Sequence, residues 1–336
     1  MTSIYLTEPG SILSKNGNKL IISKTEQTIR DFPIEKVESI VLVGSANITS
    51  PLMVELMQRD ITLTWLSSSG KFYGKLEPTR AVNIERQVLQ FDAAKDDEFC
   101  AELAKKWIGA KIKNSIVMLK RWSRERKNID VDAYVEKLHK SFGNLNTTND
   151  IEKIRGYEGS ASRFYFDALK EIVPVEYKFT ERNKQPPRDP FNSLLSFAYT
   201  LTMYEVYTSI TLKGLHPYRG FFHKPKRGHP ALASDLMEEW RPILGDSLAM
   251  HSISHKIVTK EDFLDPDSET WGVYLAQEGS KKYIEQFEKR IRKHNQYLDY
   301  IEYPVSFRES VAFQVGSLVK ALEEYDPDIY RPVIIR

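Results

Sequence analysis

The chain has 336 residues, of which 41% are hydrophobic and 28% charged, a balance typical of a globular protein rather than a disordered one. Its formal net charge of +2 is close to neutral, and its single cysteine, Cys100, excludes intramolecular disulfides and zinc sites built from several thiolates. No apolar stretch is long enough for a membrane helix and no signal-peptide pattern is present, so we expect no membrane partner and a cytoplasmic location.

The first eighty residues predict a small β-domain. Turn residues separate short strand-like runs at 3–6, 11–14 and 19–23, and the run at 39–43 is rich in β-branched residues. Ser50 followed by Pro51 predicts the start of a short helix. Two further strands are expected at 61–66 and 71–74, as a hairpin around residues 67–70. We therefore expect an N-terminal β-domain at 1–80 and a linker at 81–96.

Apolar residues recur at helical spacing from about Asp97, and no proline follows until Pro174. Asp189-Pro190 predicts the start of another helix, and two more are expected around 284–291 and 311–322. The polar, proline-bearing segment 182–188 predicts a mobile loop. The expected fold class is therefore α+β: a small N-terminal β-domain followed by a larger, all-helical domain at 97–336.

Two runs of basic residues, at 105–127 and 281–293, have the composition of phosphate-binding surfaces. Helix faces in contact with solvent have the same composition, and acidic residues elsewhere balance the charge. Each run by itself is therefore better interpreted as a solvated helix face.

The most informative segment is 220–242, where a basic loop with glycines and prolines leads into a helix. Asp235 and Glu238 are three residues apart, so a helix places both carboxylates on one face. With an imidazole from the loop they form a ligand set suited to Mg²⁺ or Mn²⁺, although such pairs are also common on solvated helices. Glu158 has a glycine at Gly156 and at Gly159 and is expected at a helix entrance. Those glycines could allow close backbone approach or could form a cap.

Three blocks of sequence occur in one order along the chain. The first is Gly156-Tyr157-Glu158-Gly159 with Ala161 and Tyr165-Phe166, and the second runs from Pro186-Pro187 through Asp189, Asn192, Leu195-Ser196-Phe197 and Tyr199. The third is Gly220-Phe221-Phe222-His223 with Asp235-Leu236-Met237-Glu238-Glu239 and Arg241-Pro242. Together with Lys111-Ile112 and Asn114, these blocks resemble the CRISPR-associated integrases of spacer acquisition.

That resemblance implies a catalytic site. Glu158, His223 and Glu238 would be the ligands of a Mg²⁺ or Mn²⁺ ion, and Asp235 a further ligand or an acid close behind one. His223 is favoured over His229 by its position in the motif. The resemblance also implies residues that support the site or contact DNA: Asn192, Ser196, Tyr199, Lys224, Arg227 and Arg241.

The implied activity is the insertion of short DNA fragments at the ends of CRISPR repeats, by attack of a 3′-hydroxyl on a phosphodiester. The implied partners are double-stranded and branched DNA, a second copy of the chain bound through the β-domain, and a small ferredoxin-like adaptation protein. Two alternatives remain open from the residues. One is a metal-dependent nuclease of branched DNA, and the other is a DNA-binding scaffold without catalysis.

Overall fold

A computed structural model describes residues 2–25, 27–68, 70–78, 82–126, 129–184, 186–264 and 271–336. Four predicted features lie partly outside these ranges: the turn residue Ser69, Lys127 of the first basic run, Gln185 of the loop before the Pro190 helix, and the domain boundary at 80–81. The chain divides into two compact units. The first comprises 1–81 and 275–284, and the second 82–274 and 285–336.

The first unit contains two four-stranded sheets. One has the order β1-β5-β7-β8, with β8 antiparallel to β7 and the other pairs parallel. The second has the order β4-β3-β2-β6. The hydrophobic core of the unit draws on both sheets and includes Leu13, Leu20, Ile40 and Leu42, all fully buried. The elements are β1 Thr2–Leu6, β2 Ile12–Asn16, β3 Lys19–Lys24, β4 Gln27–Pro33, β5 Val37–Val43, β6 Asn47–Ile48, α1 Ser50–Gln58, β7 Thr62–Leu66 and β8 Phe72–Leu76.

The second unit is mostly helical, and it holds every residue of the predicted site. Its helices are α2 Ile84–Ala93, α3 Asp97–Glu125, α4 Asp132–Leu145, α5 Ile151–Ile172, α6 Pro190–Leu212, α7 Ala231–Met237, α8 Ser247–Ser254, the later turns of α9 Gln277–Ile291, and α10 Phe307–Glu323. A π-helical turn, Arg241–Asp246, lies between α7 and α8. The predicted α+β class, a β-rich region followed by a mostly helical one, is confirmed.

The structure corrects the expected linker and the all-helical description. Helix α2 occupies most of the segment 81–96, and its N-terminus is capped by Asn83, whose side chain accepts the backbone N–H of Arg86. Short strands also occur beyond residue 97: β9 Phe263–Leu264, β10 Tyr274–Leu275, β11 His294–Asn295 and β12 Val305–Ser306. Residues 275–284 group with the first unit rather than with the helical one.

Glu158 lies in the middle of α5, not at a helix entrance. The helix begins earlier because Asp150 caps it, accepting the backbone N–H groups of Glu152 at 2.9 Å and Lys153 at 3.4 Å. Neither Gly156 nor Gly159 has an atom within 4 Å of the place where a Cβ would stand. These glycines therefore serve neither as caps nor as points of close approach within the protein.

Helix α6 begins where the sequence predicts. Asp189 is its N-cap residue, its side chain accepts the backbone N–H of Asn192, and Pro190 occupies the first helical position. Its apolar residues are buried, among them Phe191, Leu194 and Leu195. Within the described part of the chain, no helix is long and apolar enough to cross a membrane.

Candidate active site

Two carboxylates and one ammonium group form the centre of the candidate site. Glu158 comes from α5, Glu238 directly follows α7, and Lys111 comes from α3. The Nζ atom of Lys111 lies 2.5 Å from Oε1 of Glu158 and 2.7 Å from Oε2 of Glu238. The side chain of Glu238 is 5% exposed and that of Lys111 14%, so water screens these charges poorly. Three helices thus bring two acids around one position for a cation.

These three charges determine one another's ionisation. Burial by itself would raise the pKa of Glu158, but the charge and hydrogen bond of Lys111 hold it below its usual value. Burial opposes ionisation of Glu238 as well, yet the charges of Arg241 and Lys111 hold its pKa far below the usual range. In return, the two carboxylates outweigh the burial of Lys111 and raise its pKa. Both acids are therefore anionic, as ligands of a cation must be.

Asp235 holds His223 in one orientation. Its Oδ1 lies 2.6 Å from the ring Nδ1 of His223 and accepts the backbone N–H of the same residue at 2.8 Å. Its Oδ2 accepts the backbone N–H groups of Phe221 at 2.7 Å and Phe222 at 3.1 Å. With Nδ1–H donated to Asp235, the other ring nitrogen, Nε2, lies 3.9 Å from Oε1 of Glu238. The structure therefore places Asp235 behind His223, as a positioning acid.

The loop that carries His223 is fixed at two further points. A Cβ at Gly220 would lie 2.5 Å from Oδ2 of Asp235 and 2.9 Å from the backbone of Ala231, so only glycine leaves room for the carboxylate. On the other side, Arg155 of α5 donates to the carbonyl of Phe222 and lies 5.4 Å from the centre of that ring. The imidazole is thereby held by α5 as well as by α7.

The remaining loop residues lie away from the two acids. The Nε2 atom of His229 lies 3.2 Å from Oγ of Ser234. Lys224 forms an exposed ion pair with Glu152 at 2.9 Å. Arg227 is exposed. The preference for His223 over His229 and the DNA contacts of Lys224 and Arg227 stay predictions, although the geometry brings only His223 next to Glu238.

Arg241 is engaged with the site itself. Its Nε donates to Oε1 of Glu238 at 2.9 Å, and its guanidinium lies 4.7 Å from the centre of the Tyr199 ring. The hydroxyl of Tyr199 in turn donates to Asp246, which also accepts the hydroxyl of Tyr165 at 2.7 Å. Burial raises the pKa of Asp246, and the two hydroxyl donors partly oppose this. Arg241 and Tyr199 therefore support the acid side of the site.

The polar residues predicted along α6 form a cradle for Arg182. Asn192 is fully buried, and its Oδ1 accepts Nη1 of Arg182 at 2.8 Å and the backbone N–H of Asn183 at 3.1 Å. Ser196 accepts Nη2 of Arg182 at 3.1 Å. Asp189 fixes the Asn192 amide by accepting it at 2.6 Å. These contacts anchor residues 182 and 183, which corrects the expectation of a mobile loop there and leaves Asn192 no surface for DNA.

One cavity of about 540 Å³ collects these groups. The described residues that line it include the predicted Glu158, His223, Glu238, Tyr199 and Arg241, whereas Asp235, Asn192, Ser196, Lys224 and Arg227 lie outside its wall. The wall also contains charged residues for which the sequence predicted no role at the site: Lys111, Arg163, Asp167, Glu181, Arg182, Lys184 and Asp246.

A further buried acid, Glu239, connects the C-terminal segment to the end of α7. Glu239 accepts the hydroxyl of Tyr330 and, at 2.6 Å, the backbone N–H of Val333, and burial raises its pKa to about 8. Asn114, one turn after Lys111 on α3, donates to the carbonyls of Glu239 at 3.1 Å and Val333 at 2.9 Å. The C-terminal segment thus links α3, which carries Lys111, to the end of α7, which Glu238 follows.

Comparison with known proteins agrees with this layout. The family model of the CRISPR associated protein Cas1 matches residues 4–289. The chain belongs to the Cas1 family. The CRISPR-associated endonuclease Cas1 3 of Thermus thermophilus is 34% identical over 335 residues, which cover 99% of this chain and 97% of that protein. The resemblance drawn from the three sequence blocks is therefore confirmed.

Two solved structures share the fold. A casposase bound to an integration product has a TM-score of 0.85 and 24% identity, over 97% of this chain and 92% of that chain. A chain in a Cas6-RT-Cas1–Cas2 complex has a TM-score of 0.84 and 22% identity over 98% of this chain, but this chain spans only 36% of that longer one. The Cas1 fold is thus present over nearly the whole length.

The donor atoms of this Cas1-family chain fit a divalent metal ion. Among the described residues, no three His, Cys, Asp or Glu side chains are arranged so as to hold a metal ion, and the ammonium of Lys111 lies between the carboxylates of Glu158 and Glu238. Oε2 of Glu238 is buried, and the group that lies against it is the ammonium of Lys111, 2.7 Å away. Two carboxylates and one imidazole suit Mg²⁺ or Mn²⁺.

Proposed function

We propose that this protein is a metal-dependent DNA integrase that inserts short DNA fragments at the ends of CRISPR repeats. The observation that carries the proposal is that Lys111 bridges Glu158 and Glu238 in the wall of a cavity, with Nε2 of His223 3.9 Å from Oε1 of Glu238. The names of its relatives give the coarser statement, a Cas1-type endonuclease. The casposase with a similar fold was solved with an integration product, which supports strand joining.

The proposed reaction is a direct transesterification. The 3′-oxygen of the incoming fragment forms a bond to phosphorus at the repeat boundary, and the bond from that phosphorus to the 3′-oxygen of the flanking DNA breaks. The attacking hydroxyl loses its proton to solvent, and the leaving oxygen gains one, so no protein nucleophile is required. A Mg²⁺ or Mn²⁺ ion held by Glu158, His223 and Glu238 would polarise the phosphate and favour ionisation of the attacking hydroxyl.

The chain's own residues have distinct tasks in this proposal. Asp235 orients His223, so the imidazole acts as a ligand rather than as a proton acceptor. Arg241 holds Glu238 through its 2.9 Å contact and limits the motion of that carboxylate. Lys111 neutralises the two acids before a metal ion enters, which prevents buried like charges from separating the helices.

The proposed partners follow the family. They are double-stranded and branched DNA, a second copy of the chain bound through the β-domain, and a small ferredoxin-like adaptation protein. A chain of similar fold occurs in a Cas6-RT-Cas1–Cas2 complex, which supports the last of these.

The direct test is an integration assay. The protein is incubated with a short DNA duplex and a supercoiled plasmid carrying a repeat, in Mn²⁺, in Mg²⁺ and in EDTA. Covalent fragment–plasmid products are expected with either metal, and none with EDTA or with a fragment that ends in a 3′-dideoxynucleotide. Nicked plasmid alone would reject integration in favour of branched-DNA hydrolysis, the second candidate activity.

A matched pair of variants separates the site from its surroundings. Glu158→Gln removes one charge between α5 and α7 and is expected to abolish joining. Glu152→Gln, on the same helix, removes an acid whose side chain is 62% exposed and is expected to leave joining intact. If Glu158→Gln and EDTA both left DNA processing unchanged, the metal site would be rejected and a scaffold without a metal centre would explain the fold better.

A further inference from the structure

Arg182 is a largely buried cation whose contacts are all with neutral groups. Its Nη1 donates to Asn192 and to the carbonyl of Asn183, and its Nη2 donates to Ser196. Its guanidinium lies 5.4 Å from the centre of the Tyr199 ring, and its Nε–H is buried without an acceptor. Within the described ranges, no carboxylate forms an ion pair with it. A guanidinium with this burial normally pairs with an anion.

Lys184 lies two residues further along, in the wall of the same cavity. Lys184 is exposed, and partial burial together with the positive charges of Arg241, Arg182 and Lys111 lowers its pKa. Asp167 and Glu181 line the cavity as well, yet in the part of the chain that the structure describes neither forms an ion pair with Arg182 or Lys184. The wall at 182–184 therefore carries positive charge that the protein does not neutralise.

Neighbouring residues hold the guanidinium of Arg182 in place but leave part of its hydrogen-bonding capacity unused. Three hydrogen bonds to neutral acceptors use three of its five N–H donors, which leaves the Nε–H and one donor on Nη2. Asn192, itself fixed by Asp189, holds the guanidinium in one orientation.

We propose that Arg182 and Lys184 form an anion-binding wall that takes a backbone phosphate of the DNA strand lying against Glu158 and Glu238. Asn192 and Ser196 are positioning residues that hold Arg182 for this contact. The proposal rests on DNA being the substrate, and it adds a contact separate from the metal ligands. The phosphate would be the anionic partner of Arg182 and Lys184.

The test is a double-mutant cycle between protein and DNA. The probe is a fluorescent branched DNA duplex in EDTA, in which one linkage at a time near the branch is replaced by an uncharged methylphosphonate. Arg182→Gln is expected to weaken binding of unmodified DNA by about tenfold, the size of one charged hydrogen-bonded contact. At one linkage, the methylphosphonate should weaken binding by the wild type but hardly at all by Arg182→Gln. Lys184→Gln should reduce the slope of the logarithm of the binding constant against the logarithm of salt concentration by about one.

The controls separate a contact from a structural role. Arg188→Gln, in the same loop but exposed and outside the cavity wall, should bind every probe as the wild type does. Arg182→Lys keeps the charge and should retain part of the affinity. If the losses from Arg182→Gln and from the methylphosphonate multiply at every linkage, and Lys184→Gln leaves the salt dependence unchanged, the anion-binding wall is rejected. No strand is joined in EDTA, so this outcome is independent of the integration assay.

Discussion

Replacing Lys111 by methionine tests whether the two carboxylates share one cation position. The substitution keeps an unbranched side chain, one atom shorter, and removes the cation that Glu158 and Glu238 share, while Glu238 retains Arg241. Removing one partner of a buried ion pair costs about 3–5 kcal/mol. The side chain of Glu158 is 24% exposed and partly solvated, so the lower end, about 3 kcal/mol, is expected.

The assay is urea denaturation of Lys111→Met and wild type, in EDTA and in Mn²⁺. In EDTA the variant should lose about 3 kcal/mol of unfolding free energy. In Mn²⁺ the gap should shrink by more than half, because the metal replaces the missing charge and no ammonium competes with it. Metal ion at a hundred times its dissociation constant stabilises the form that binds it by about 2.7 kcal/mol, so the gap closes if the wild type, in which Lys111 competes for the position, binds Mn²⁺ far more weakly than the variant.

Lys106→Met is the matched control on the same helix. Lys106 pairs with Asp328 at 2.9 Å, but the side chain of Asp328 is 84% exposed. Such a pair contributes less than about 1 kcal/mol, and its loss should be the same in EDTA and Mn²⁺. If Lys111→Met unfolded like the wild type in EDTA, the coupling of the three charges would be refuted. If its deficit persisted unchanged in Mn²⁺, the metal would bind elsewhere.

Three further outcomes are expected. Asp235→Asn, which breaks the clamp on the neighbouring imidazole, should weaken Mn²⁺ binding by about 10–100-fold in calorimetric titration; unchanged affinity would contradict it. Burial raises the pKa of Cys100 to about 12, so iodoacetamide at pH 8 should label it only after unfolding, and its stabilising contribution should fall as pH rises from about 9 to 12. Gly245→Ala places a Cβ 2.6 Å from the Tyr199 ring and should lower the melting temperature, whereas Gly156→Ala should raise stability by up to about 1 kcal/mol.

Local patterns were sufficient for most of the β-rich region and for the start of α6. Strand β4 was missed because five of its seven side chains are exposed and its sequence does not alternate between polar and apolar residues. Helix α2 was taken for a linker although Asn83 offers a cap, because its apolar residues Ile84 and Val88 remain exposed and mark no buried face. In both elements the side chains that would mark a buried face are exposed, so the sequence showed no strand or helix periodicity there.

Site roles were predicted from the sequence for the acids, for His223 and for Arg241, but not for Lys111 or Arg182. His223, Asp235 and Glu238 lie within one short segment, and the family motif added Glu158. Lys111 and Arg182 were missed because their partners are distant in sequence and lie on other helices. A signal for Lys111 did exist: it lies on α3 between the buried residues Ile108 and Asn114, where a solvated lysine would not be placed. A cation on a buried face indicates a buried anion.

The cavity keeps its two sets of charges apart by means of an aromatic ring. Arg241 is bound to Glu238 and lies over one part of Tyr199, while Arg182 lies 5.4 Å from the centre of the same ring. The hydroxyl of Tyr199 is fixed on buried Asp246, and the ring packs where Gly245 has no side chain. In the proposed function, a ring held in this way would let the same cavity offer carboxylates to a metal ion and a guanidinium to a phosphate.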